Sequence, residues 1–214
     1  MTTLNRLTIY ILKRYLLLLA GLAIMAFGVA FSIKASLGTS PISSVPYVVS
    51  LFSPLTVGTA TIVMHCFFIL LQILILRRNY HPIQLMQLPV AFFFGYLTDF
   101  GVWAVQGISC HTYWQQWIVC LIGILLVAAG VSLEVKAGVV VLAGEAVVLA
   151  ICRAIPSLKF GYMKVGFDVI LVIIACILSI SFTGRLQGGR EGAAAGAVMV
   201  GLLARQAGKG LARW

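Results

Sequence analysis

Eight apolar runs follow one another along this chain, at about 13–34, 41–53, 57–76, 83–106, 115–135, 139–156, 161–182 and 188–204, with only short breaks between them. Six are long enough for a helix to cross a bilayer core, which takes about 20 apolar residues. Lipid is the solvent such a chain is built for, and in lipid every backbone N–H and C=O must find its partner inside the protein. Helices meet that condition one segment at a time, so the expected fold is all-α. Composition agrees: 62% of the 214 residues are hydrophobic and 9% are charged, at a mean hydropathy of +1.10. A soluble domain carries about 25% charged residues. No polar stretch is long enough to fold separately, so residues 1–214 read as a single membrane domain. Arg6 and Lys13–Arg14 ahead of Tyr15–Ile33 resemble a signal peptide, but no small-residue cleavage site follows. That segment reads as the first transmembrane helix.

The runs 41–53 and 139–156 are too short or too polar to cross with ease, and runs of this kind are more often re-entrant. Charge decides between eight crossings and six, because Lys and Arg concentrate on the cytoplasmic side. With a cytoplasmic N-terminus and eight crossings, 9 of the 15 basic residues fall inside and 6 outside. With the two short runs dipping in and returning, 12 fall inside and only Lys34, Arg185 and Arg190 outside. The expected architecture is six transmembrane helices plus two short re-entrant helices, multi-pass in an inner (plasma) membrane, with both termini cytoplasmic. Trp103, Tyr113, Trp114 and Trp117 flank the outside loop 107–114, the interfacial depth these side chains favour. The net charge of +10 lies in such topological clusters, facing lipid headgroups rather than nucleic acid.

The chain also repeats itself. Gly28-Val-Ala-Phe-Ser-Ile-Lys34-Ala35 aligns with Gly130-Val-Ser-Leu-Glu-Val-Lys136-Ala137, and Leu55-Thr-Val-Gly58 with Leu158-Lys-Phe-Gly161. The repeats cover about 13–106 and 115–207. Three spans per half is an odd number, so the second half enters from the opposite side: two inverted-topology repeats, an arrangement common among secondary transporters. The stretch Gly28 to Pro41, with Lys34-Ala-Ser-Leu-Gly-Thr-Ser-Pro41, followed by Val57-Gly58-Thr59, resembles the bacterial YczE/YyaS/YitT-type membrane proteins. That resemblance implies a small bacterial multispanning transporter of unspecified substrate. The second copy departs from the signature, with Gly138-Val-Val-Val-Leu-Ala in place of Leu-Gly-x-Ser-Pro.

Polar residues inside the apolar runs are the candidates for chemistry. Ser40 suits an N-cap and Pro41 a first helical position, so a short helix should begin near 41 within the membrane's depth. Its free N–H groups and positive dipole end would face a cavity, a natural anion site. Lys34, Thr39, Ser40, Ser43 and Ser44, with Glu145 in the second half, form the expected substrate-binding set. Glu145, His65 and Asp168 are the expected proton- or ion-coupling residues; repeat symmetry would bring His65 and Asp168 near each other. Asp99 lies near the outer end of its span. Gly192-x-x-x-Gly196 and its alanines give a smooth face, for packing within the bundle or in a homodimer through the last span. Cys66, Cys110, Cys120, Cys152 and Cys176 show no metal or CxxC spacing and read as small buried hydrophobes. No catalytic or phosphate-binding motif is present. The expected function is therefore not an enzyme's: a secondary transporter for a small polar, anionic solute, without cofactor or metal, its partners lipid and that solute. A substrate-capture subunit of a partner ATPase and a non-transporting scaffold or lipid-handling factor are the alternatives.

Overall fold

The computed structural model describes residues 3–110, 112–155, 157–158, 160–185, 188, 192–193 and 196. Among them lie seven α-helices and no strand: α1 (Thr3–Ala35), α2 (Pro41–Phe52), α3 (Val57–Leu76), α4 (Gln87–Ala104), α5 (Tyr113–Ala137), α6 (Ala143–Ala154) and α7 (Phe160–Thr183). Two tight turns, Arg77–Asn79 and Pro82–Met86, join α3 to α4. Five helical segments are long and apolar enough to cross a membrane: Ile9–Ala35, Val57–Asn79, Pro82–Ala104, Tyr113–Ala137 and Phe160–Thr183. This is the make-up of a multi-pass membrane protein. Most of the expected sixth span, 188–204, and the end of the second repeat lie outside the described residues. Helices α2 and α6 have 12 residues each. That is about 18 Å of helix, well short of a hydrocarbon core of about 30 Å.

Backbone chemistry sets where these helices stop. α1 ends where Ser36 takes φ 58° and Gly38 φ 119°, and α5 ends at Gly138 with φ 56°. A left-handed residue just past a helix turns the chain away, and glycine does so without a β-carbon penalty. Pro41 opens α2 at a position where its missing N–H costs nothing. Ser40 holds the N-cap position but makes no capping bond, which corrects the expected role of its side chain. The Ser43 and Ser44 N–H groups already turn onto the Ser40 carbonyl, each at 2.9 Å, and the Ser40 hydroxyl donates to Ser43 Oγ at 3.0 Å.

The spine of the molecule is the pair α1 and α5. Gly21 meets Gly130 and Gly28 meets Gly123, so the two helices run antiparallel and close enough for backbone to touch backbone. A β-carbon on Gly28 would stand 2.6 Å from the Val127 nitrogen and 2.8 Å from the Gly123 carbonyl oxygen. Small residues at a helix crossing give this close packing, which replaces the hydrophobic drive that lipid removes. Leu18, Leu22, Met25 and Val29 of α1, Phe94 of α4, and Val127 and Val131 of α5 fill the core around the crossing.

A second core joins α3, α6 and α7 through Met64, Phe68, Ile69, Ala143, Val147 and Leu171, with Ile42 and Val45 of α2 against it. Helix α2 packs on α3 and α7, and helix α6 packs on α3 and α7. Helix α4 lies against α1 and α3. Its contact with α3 is tight at Gly58 and Gly95, and here Asp99 has an inward partner. Its carboxylate accepts from the Gly58 N–H at 2.7 Å and from the Thr56 hydroxyl at 2.6 Å, capping α3 from the neighbouring helix. Beyond α7, Gly192 sits against Cys120 and Leu37 and Gly196 against Ile124. The outer surface is apolar, with Val63, Leu70, Leu74, Phe92, Ile118, Leu125, Ile173 and Ile177 turned outward. Trp103, Tyr113 and Trp114 are exposed at the end where α4 gives way to α5.

Candidate functional site

The two short helices begin beside each other. A β-carbon on Gly144, in the first turn of α6, would meet the Ile42 side chain of α2 at 3.1 Å. The Thr39–Ser44 stretch and the Glu145 region, expected to share a site, are therefore neighbours. Thr39, Ser43 and Ser44 are buried. Their hydroxyls are turned onto α2 itself: Ser44 Oγ donates to the Pro41 carbonyl at 2.6 Å and Thr39 Oγ1 to the Ser40 carbonyl at 3.4 Å. Pro46, inside α2, withholds the N–H that would pair with the Ile42 carbonyl. Lys34 is placed elsewhere, donating from Nζ to the Gln106 carbonyl at 2.9 Å beyond the end of α4. A cation suits the carbonyl end of a helix.

The start of α6 carries acid where that of α2 carries hydroxyls. Glu145 lies in its first turn. Glu134 of α5 reaches across the Gly138 reversal, and its Oε1 accepts the Leu142 N–H at 2.7 Å, capping α6 from outside. Anionic groups are stabilised at a helix start by its dipole and open N–H groups. On α7, Lys164 Nζ donates to Asp168 Oδ1 at 2.8 Å, an ion pair one turn apart. Glu134 and Glu145 lie within electrostatic reach of Lys164, and among the described residues Asp168 alone is paired with it.

His65 is fully buried between Phe68 and Phe94, with ring centroids 6.4 and 6.1 Å away, and neither ring nitrogen has a hydrogen-bond partner among the described residues. Since Asp168 is bonded to Lys164, the His65–Asp168 contact expected from the repeat is absent. The apolar faces of α3 and α4 enclose the imidazole. Two other polar residues, not singled out from the sequence, do meet. Gln72 Nε2 donates to Gln87 Oε1 at 3.0 Å and to the Ala143 carbonyl at 3.2 Å, and Gln87 Nε2 donates to Gln72 Oε1 at 3.2 Å. This buried amide pair ties α3 and α4 to the start of α6. An uncharged Gln inside the apolar run 57–76 was the visible signal. Replacing Gln72 by Leu should cost about 2 kcal/mol, because the Gln87 amide is left buried and unpaired. Replacing both should cost less than the sum, a coupling that a double-mutant unfolding cycle measures.

Beneath this pair lies a cavity of about 290 Å³. Gln72, Gln84, Gln87, Val139–Val141, Ala146 and Arg153 line it. Its wall includes the unwound stretch Val139–Val141 ahead of α6. Gln84 Oε1 is buried there without a partner among the described residues. No group of three or more His, Cys, Asp or Glu among the described residues is arranged to hold a metal ion.

A family model matches residues 12–209. The chain belongs to DUF6198, a family of unknown function. No curated protein and no solved structure matches the chain significantly. The DUF6198 match takes in every element described here from Leu12 onward, including both short helices, Glu134, the Lys164–Asp168 pair and the Gln72–Gln87 pair.

Proposed function

We propose that this DUF6198 protein is a secondary transporter of a bacterial inner membrane, built from two inverted-topology repeats, that holds a small polar solute between the starts of α2 and α6. The α1–α5 crossing carries the reading. Adding 102 to Gly21 and Gly28 gives Gly123 and Gly130, so the Gly21–Gly130 contact becomes the Gly28–Gly123 contact with the halves exchanged. The same offset takes α2, Pro41–Phe52, onto α6, Ala143–Ala154. The packing follows suit: α2 lies on α7 of the other half, and α6 lies on α3 of the other half. Antiparallel equivalent helices are what an inverted repeat requires, and such repeats place their sites near the midplane, at broken helices. The resemblance of Lys34–Pro41 to the YczE/YyaS/YitT-type proteins supports the same class.

An anionic group on the solute belongs at α2, whose first turn carries no carboxylate, rather than beside Glu145. Cytoplasmic termini follow from the basic residues, and lipid covers the outward apolar faces. Gly192 and Gly196 are taken up by α5 and Leu37, so these two glycines are not available to a homodimer contact.

A thermal-shift screen of the purified protein against small metabolites grouped by charge tests the reading, since a ligand that binds only the folded state raises the melting temperature. One anion class should stabilise the wild type, and Ser40→Ala with Ser43→Ala should abolish the shift. Uptake of that compound into proteoliposomes then tests transport itself. A flat screen, or a ligand bound without uptake, removes the transporter reading.

A further inference from the structure

Glu134 stands out because nothing in the repeat accounts for it. Its counterpart at the same offset is Ser32, whose hydroxyl bonds to the Gly28 carbonyl one turn back on its own helix, at 2.9 Å. Glu134 is 2% exposed, and while Oε1 holds the Leu142 N–H, Oε2 is buried with no hydrogen-bond partner among the described residues. An ionised carboxylate in that position carries a large desolvation cost that only a counter-charge or a proton can offset. The charged groups around it do not supply enough. α6 presents Glu145, a second negative charge. α7 presents Lys164, whose ammonium is already bonded to Asp168. α1 presents Arg14, whose guanidinium lies against Gly138 at the end of α5 and over the Tyr10 ring. The unpartnered oxygen Oε2 is where a proton can bind and remove that charge.

We propose that Glu134 is a proton-binding site whose occupancy controls the attachment of the α6 start to α5. Protonation at Oε2 converts the carboxylate to a neutral acid and removes its repulsion with Glu145. The Leu142 N–H···Oε1 bond then changes from a charge-assisted bond to a neutral one, about half as strong. The unwound stretch Val139–Val141, which walls the cavity, lies between Gly138 and this bond, so the same proton loosens the cavity wall. The proposal rests on the transporter reading only for its purpose: proton binding would be the coupling event. The site itself stands on Glu134, Leu142 and Glu145 alone.

Hydrogen–deuterium exchange of the full-length protein in detergent, corrected for intrinsic exchange rates and read on the peptide spanning 139–145, tests it with the proton as the probe. Protection in the wild type should fall about fivefold between about pH 8 and about pH 5, the loss expected when a bond to a charged group becomes neutral. Glu134→Gln, which imitates the protonated acid in shape and charge, should show the low protection at both ends of that range. Glu134→Asp, which still titrates, should keep a pH response. A wild-type peptide whose protection is the same at both ends overturns the proposal without recourse to any variant. So does a response retained in Glu134→Gln, or one that follows sodium concentration at fixed pH. A pH response lost in Glu134→Gln, in a protein that moves no solute, would keep the proton site and remove the transporter reading.

Discussion

Gly28→Ala is expected to destabilise the folded protein by about 3 kcal/mol, at the upper end of what overpacking a tight contact costs. The new methyl would stand 2.6 Å from the Val127 nitrogen and 2.8 Å from the Gly123 carbonyl oxygen. Both are helix backbone, which cannot rotate away as a side-chain tip can, so relief comes only by separating α1 from α5. That separation would loosen Leu22, Met25, Val127 and Val131 around the crossing together. A graded series makes the expectation specific. Gly21→Ala should be milder, with its nearest contacts at 3.0–3.2 Å, and Gly101→Ala milder again, at 3.3 Å from the Ala26 carbonyl oxygen. Gly166→Ala, with open space around it, should be neutral or slightly stabilising through helix propensity. Unfolding by sodium dodecyl sulfate, followed by far-ultraviolet circular dichroism, gives the ranking. Equal costs for Gly28→Ala and Gly166→Ala would mean that the α1–α5 crossing is not the spine of the fold.

Asp99→Ala should cost about 2 kcal/mol, the second large effect. The side chain accepts two short bonds, from the Gly58 N–H and the Thr56 hydroxyl, and it supplies a negative charge to the start of α3. Removing it orphans a helix N–H close to where Gly58 and Gly95 touch. Thr56 keeps its own capping role, accepting from the Thr59 N–H at 3.1 Å, so the helix start does not collapse outright. Asp99→Asn keeps one acceptor and loses the charge, and should fall about midway. The same unfolding titration reads both. A neutral Asp99→Ala would return Asp99 to the role of an interfacial carboxylate with no structural partner.

The short helices show how much of the fold was legible in the chain. Pro41, Gly38 and Gly138 act on their own backbone, so α2 and α6 could be placed within a few residues from the sequence. The basic clusters and tryptophans act on the bilayer, which is the same wherever the helices end up. The candidate site was legible in part. The starts of α2 and α6 lie side by side, Gly144 against Ile42. Lys34 does not join them, because a long flexible amine takes the nearest carbonyl end, at Gln106. His65 and Asp168 do not meet: each is claimed by its immediate neighbours, aromatic rings in one case and Lys164 in the other. Glu134 went unremarked because, two residues before Lys136, it resembles any charged residue at a helix end.

By itself the sequence determined that this is a multi-pass helical membrane protein, and near which residues its helices break. These properties depend on hydropathy and on φ-restricting residues, both of which are local. Only the tertiary structure decided which polar groups meet: Glu134 with the Leu142 N–H, Gln72 with Gln87 and Ala143, Asp99 with the start of α3. The physical reason is that a membrane helix is apolar on its lipid face and its core face alike. Val63 and Phe68 belong to the same run, yet one is 58% exposed and the other 3%. Hydropathy does not record which way such a helix turns, and rotation of a helix is what selects the partner of every polar side chain it carries.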